Sequence, residues 1–374
     1  MKKILSLLLI AILSLGMLAS CTININTDDS SSTESSAQAS TSENGATNSS
    51  ENIVNSSTAS TSQSDEIQDN TDTPKEKVDI NVSVLNGTTG FGMAYLMSKN
   101  ENGQANNNYN FKVETDATVI IAGLISGSID VAALPTNAAA NVYTKSGGKV
   151  QVLAINTLGV LYLAQKDGKI ASINDLDGKT VYVPAQNPAF IAKHVFDSND
   201  VDVRLDSVTY STPAALQAAV IAGQVEYAIL PQPVITAAIA GAKKANLNYS
   251  ISLDLTKEWN KIPGSEELVQ GCIVVRKDFA AKNPTAIASF LDEYKDSINY
   301  LNSSVKETAE LIVKYGIFAN ATVAENAIPS CNVTFMIGND MKNAMKAFIK
   351  TMYEIAPASV GNAIPSDDFY YIVK

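Results

Sequence analysis

The sequence predicts an α/β fold built as two similar lobes. Two observations carry that expectation. Short β-like runs alternate with helical stretches from about residue 79 onward. In addition, Ile125-Ser126-Gly127-Ser128-Ile129-Asp130-Val131-Ala132-Ala133-Leu134-Pro135 recurs as Ile221-Ala222-Gly223-Gln224-Val225-Glu226-Tyr227-Ala228-Ile229-Leu230-Pro231, at a constant offset of 96. Ile, Gly, Ile/Val, Asp/Glu, Ala, Leu and Pro match without a gap. Each copy reads as a helix end, a Gly C-cap, a short buried strand and a Pro-containing loop. Two such units suggest two lobes; two ordinary αβ units that agree by coincidence are the other reading.

The elements follow in order. Asp79 to Leu85 alternates polar and apolar residues and reads as a strand. Asn86-Gly87-Thr88-Thr89-Gly90 breaks it, and Phe91 to Met97 reads as a helix. That loop is either an acceptor-binding turn at a helix N-terminus or a plain turn. Val150–Ile155, Val160–Ala164 and Lys179–Val183 are further strands, the last preceded by the turn Asp175-Leu176-Asp177-Gly178. Pro184-Ala185-Gln186-Asn187-Pro188 ends it, and Ala189 to Phe196 reads as helix. Thr212 is an N-cap and Pro213 the first residue of a helix to Ala222. Gly271 to Val275 is a buried strand. Asn283-Pro284 opens a helix through about Asn302, and Val305–Tyr315 and Asp340–Ile355 are helices.

Composition excludes several functions. The chain has 374 residues, 45% hydrophobic and 17% charged, with a net charge of −11. Most of that charge lies outside the body: residues 22–77 carry −8 and residues 78–374 carry −5. There is no basic footprint for nucleic acid. Arg204 and Arg276 are the only arginines and His194 the only histidine. His-based metal sites are therefore excluded, and a Ser-His-Asp triad has one candidate base with no supporting motif.

The N-terminus reads as an address. Lys2 and Lys3 precede an apolar run, Ile4 to Leu18, and then Leu18-Ala19-Ser20-Cys21. Residues 1–20 resemble a bacterial lipoprotein signal, with Cys21 acylated as the new N-terminus. The alternative is an uncleaved transmembrane anchor, for which the run is short. Of the 56 residues 22–77, 23 are Ser or Thr. That segment has too little apolar surface to fold, so 21–77 is a lipidated Cys followed by a disordered tether.

The body as a whole resembles a solute-binding protein of an ABC importer, of the nitrate/sulfonate/taurine type. The resembling residues are Leu85 to Met93, Gly127 to Ala132, Asp175 to Val181, Gly223 to Pro231 and Val274-Val275-Arg276-Lys277-Asp278-Phe279. Ala327 to Asn332 and Phe369-Tyr370-Tyr371 are similar to one branch of that family. The resemblance implies a type II periplasmic-binding-protein-like fold. Each lobe would be a mixed, mostly parallel sheet flanked by helices, with two crossover strands joining the lobes. Lobe 1 would comprise 78–165 with 270–374, and lobe 2 would comprise 166–269.

Ligands of open α/β sheets sit beyond the carboxyl ends of the strands. The candidate ligand-binding residues are therefore Asn86, Thr88, Thr89, Gly90, Thr136, Asn137, Gln186, Asn187, Ser211, Thr212 and Gln232. Capping and turn formation are their other reading. Trp259 either stacks on a ligand or packs in lobe 2. Cys272 and Cys331 either pair as a disulfide or are two small buried hydrophobes.

The implied function is a lipid-anchored binding component on the outer face of the cell membrane. It captures a small polar or anionic organic solute, nitrate-, sulfonate- or taurine-like or a vitamin precursor, by lobe closure. It hands that solute to a permease with its ATPase, as a monomer, with no catalytic step, cofactor or metal. A lipid-anchored sensor or adhesin on the same fold is one alternative, and an enzyme on that fold another.

Overall fold

A computed structural model describes residues 77–372. The leader, Cys21 and tether readings lie outside the described residues. Eleven strands form two sheets. They are β1 (Asp79–Leu85), β2 (Asn108–Glu114), β3 (Val131–Pro135), β4 (Val150–Thr157), β5 (Leu161–Lys166), β6 (Thr180–Tyr182), β7 (Arg204–Asp206), β8 (Tyr227–Pro231), β9 (Tyr249–Asp254), β10 (Gly271–Arg276) and β11 (Val333–Met336). The first sheet has the order β11-β4-β10-β3-β1-β2, and the second β7-β6-β8-β5-β9.

The internal repeat is visible in this topology. β3 and β8 each show four buried residues followed by a half-buried proline. Each pairs in parallel with an earlier strand of its own sheet, β1 or β6. Each pairs antiparallel with a crossover strand, Gly271 opposite Pro135 and Leu161 opposite Pro231. The helix before β3, Ala117–Ser126, ends on Gly127 at φ 87°, and the matching Gly223 lies at φ 71°. A side chain other than glycine is strained at both positions.

Both sheets are mixed. In the first, β10 and β11 run against the other four strands, and in the second β5 runs against the other four. The opposed strands include the two that carry the chain between sheets. The first crossing falls earlier than the expected boundary at residue 165. β5 already belongs to the second sheet, so the chain passes across at 158–160. The turn at Asp175–Gly178 lies between β5 and β6, both in the second sheet. The return lies between Asp254 and Gly271.

Alternate residues of each central strand face opposite sides, so apolar side chains divide between two clusters. Ile80, Val82, Val84, Ile273 and Val275 face one, with Phe290 and Tyr294 from the helix Pro284–Ser303. Leu134, Val152, Cys272 and Val274 face the other. That second cluster continues into the second sheet through Leu163, Val181 and Ile229, with Trp259 and Phe348. Trp259 is 2% exposed and donates its indole N–H to the Glu266 carbonyl at 2.8 Å. It is a packing residue, flanked by the His194 and Phe348 rings at 4.9 and 6.2 Å.

Candidate functional site

The polar ends of β1, β3 and β8 come together where the sheets meet. They border a cleft of about 410 Å³ lined from both sheets. Larger hollows, of about 610 Å³ beside Arg276 and Lys277 and about 790 Å³ beside Tyr370 and Tyr371, are lined from the first sheet's side alone. Of the expected residues, Asn86, Thr88, Thr89, Asn187 and Gln232 line the cleft. Gly90, Thr136, Asn137, Gln186, Ser211 and Thr212 do not.

The reasons differ by residue. The segment after β1 is not an open loop: Thr88–Phe91 forms a helical turn, and Ala94–Glu101 a helix. Thr88 is buried and donates its hydroxyl to the Gln232 carbonyl at 2.7 Å, bridging the two sheets' loops. Thr89 offers its carbonyl to Asn156 at 2.9 Å. At Gly90 an added Cβ would lie 2.6 Å from the Leu85 carbonyl oxygen and 2.9 Å from Ile317, so this glycine serves a close approach. Thr136 and Asn137 begin a helix, Thr136–Ser146, where a loop was expected. Thr136 is fully buried and its N–H donates to the Gln270 carbonyl at 3.2 Å. Gln186 is exposed at φ 64°, just before the helix Asn187–Ser198. Ser211 holds the Ala185 N–H through its carbonyl. Thr212 caps the helix Pro213–Ile221 by accepting from the Ala215 N–H at 3.2 Å.

The lining has residues that the sequence reading did not single out: Leu85, Thr157, Val160, Leu161, Gln270 and Phe318. Most sit where the chain crosses between sheets. Gln270 accepts from the Val160 N–H at 2.5 Å through its side-chain oxygen, tying one crossing to the other. Asn332 adds a third tie, donating to the Gly159 carbonyl at 2.6 Å.

Among the described residues, no Asp, Glu, Lys, Arg or His lines the cleft. Arg276 is bound to Asp130 at 3.1 Å, and Arg204 faces Thr180. His194 packs on Trp259, where burial lowers its pKa. The side-chain oxygen of Asn187 is buried with no protein partner. Tyr162 stands at the start of β5 and donates to the Ser330 carbonyl at 2.9 Å. Burial first, and Asp254 second, push its phenol up to about 12.

Cys272 and Cys331 are both free thiols. They belong to the two clusters on opposite faces of the first sheet, which is why they do not pair. Burial raises both thiols, Cys331 to about 12.

Residues 94–323 match the family described as ABC transporter, phosphonate, periplasmic substrate-binding protein. No curated protein sequence matches the chain. Solved structures share the fold. An ABC transporter protein from Parabacteroides distasonis is 23% identical with a TM-score of 0.68, covering 80% of this chain and all (100%) of that one. The alkanesulfonate-binding protein from Xanthomonas axonopodis pv. citri, bound to MOPS, is 12% identical with a TM-score of 0.55, covering 78% and 96%. The periplasmic nitrate-binding protein from Synechocystis PCC 6803 is 11% identical with a TM-score of 0.54, covering 77% and 85%.

The chain is thus a substrate-binding component of an ABC importer, with a periplasmic-binding-protein-like fold. It belongs to the phosphonate-type family of periplasmic substrate-binding proteins. That membership assigns it to solute capture rather than to catalysis. Among the described residues no helix is long and apolar enough to cross a membrane.

Proposed function

We propose that the protein is held on the outer face of the cell membrane by acyl chains on Cys21. The tether 22–77 carries a binding body in which lobe 1 (78–157 with 270–374) and lobe 2 (161–269) enclose one small organic solute. The solute sits among Asn86, Thr88, Thr89, Asn187 and Gln232. The monomeric closed form is what the permease recognises, and the ATPase then drives uptake.

The observation that carries this reading is the cleft lined from both sheets by strand-end loops. Binding residues on two units joined by two crossings make closure around a ligand the natural motion. Gln186, Ser211 and Thr212 then shape the cleft wall by capping and turn geometry.

Two measurements test it. In cells, an alkyne-labelled fatty acid is expected to label the wild type and not Cys21→Ala, with the variant shed into the soluble fraction. A protein that stays in the membrane unlabelled would contradict the anchor. In solution, a bound solute is expected to reduce the radius of gyration in X-ray scattering. Unchanged scattering at saturation would contradict closure.

A further inference from the structure

We infer that the solute taken by this cleft is an uncharged organic molecule rather than a phosphonate, sulfonate or nitrate oxyanion. It has an apolar, ring-sized body and carries both hydrogen-bond donors and acceptors. The inference rests on the binding-protein reading above and names the class of its ligand.

Three features point the same way. First, no cationic side chain among the described residues lines the cleft. An anion stripped of water needs a paired charge or a dense set of donors. Second, the donors that would substitute for a cation are thinned by proline. Besides the single turn Thr88–Phe91, four longer helices start at the cleft: Thr136–Ser146, Asn187–Ser198, Pro213–Ile221 and Val234–Lys244. Helix N-termini hold oxyanions through free backbone N–H groups. Here Pro135, Pro188, Pro213 and Pro233 stand at or beside those starts and line the cleft. A proline has no N–H to give. Thr136 has spent its own on Gln270, and Ala215 on Thr212. What remains of the helix dipoles suits an electron-rich carbonyl or ring nitrogen.

Third, the side-chain amides present a mixed code. The Gln232 side-chain oxygen accepts from Thr236 at 2.7 Å, and that of Gln270 accepts from Val160. The free end of each is therefore an NH₂ donor. The Asn187 oxygen is a buried acceptor with no protein partner. A sulfonate, a nitrate or a fully ionised phosphonate has no proton for it and would repel it, whereas a ligand N–H or O–H would satisfy it. Leu85, Leu161, Phe318 and the proline rings supply apolar walls for the rest of the molecule.

The test equilibrates ligand-free full-length protein with a bacterial metabolite extract to which methylphosphonate, benzenesulfonate and nitrate have been added. Benzenesulfonamide and nicotinamide are added as uncharged counterparts. Retained molecules are identified by mass spectrometry and ion chromatography after denaturation, and their affinities are measured by calorimetry. The account expects an uncharged molecule. Its affinity should change less than about twofold from roughly 20 mM to roughly 500 mM salt. It should fall roughly tenfold or more in Asn187→Ala, or in Gln232→Leu should the first variant not fold. Retention of a phosphonate, sulfonate or nitrate overturns the inference and leaves the binding reading intact. Retention of nothing overturns the binding reading and this inference with it.

Discussion

Replacing Thr88 with valine isolates one contact that spans the cleft. The Thr88 hydroxyl donates to the Gln232 carbonyl at 2.7 Å, and no other donor to that carbonyl occurs among the described residues. Thr88 is 7% exposed and Gln232 is 4% exposed, so water does not readily replace the lost donor. Valine keeps the shape and removes the hydroxyl, leaving a buried acceptor unpaired. The cost of such a loss is about 1–3 kcal/mol. For a body of this size that corresponds to a fall in melting temperature of roughly 2–6 °C. Because the bond joins the loop after β1 to the loop after β8, the variant should also scatter X-rays as a more open particle. Thr88→Ser, which retains the hydroxyl, should behave as wild type. A Thr88→Val protein with an unchanged melting temperature and scattering profile would refute the bridge.

Other consequences follow from the packing. Gly90→Ala places a Cβ 2.6 Å from the Leu85 carbonyl oxygen and should lower unfolding free energy in urea by about 1–3 kcal/mol. Phe348→Ala empties a fully buried site beside Trp259. It should cost about 3–5 kcal/mol, with red-shifted tryptophan emission. Cys272 and Cys331 should be inert to a thiol reagent at neutral pH in the folded protein, and both should react after denaturation. Burial raises the folded Cys331 pKa from 9.0 to about 12. The unfolded thiol therefore ionises first, and its contribution to stability is complete below pH 9.0 and is lost as pH rises toward about 12. Cys331→Ala should flatten that alkaline decline in a denaturation series, and an unchanged slope would contradict the assignment.

The repeat at offset 96 was the most legible part of the fold. A buried strand ending in proline leaves a strong pattern, and both copies became central strands, β3 and β8. The cap at Thr212-Pro213 was equally readable because it is local chemistry. By contrast, β2 (NYNFKVE) and the helix Thr136–Ser146 (TNAAANVYTKS) were not read as such. Both are rich in Asn or Thr, and tertiary pairing rather than propensity decides their state. Of the strand-end residues, Asn86, Thr88, Thr89, Asn187 and Gln232 line the cleft. The strand-end rule did not single out Gln270 and Phe318, whose place in the lining depends on how distant segments meet. Ser211 and Thr212 lie outside the lining, since polar residues after strands also close turns and cap helices.

The most direct test of the account is a crystal structure of the protein after equilibration with the same metabolite extract. The account predicts one solute in the cleft, with a donor on the Asn187 side-chain oxygen and an acceptor facing the Gln232 amide. A solute seated instead beside Arg276 and Lys277, with the cleft occupied only by water, would contradict it.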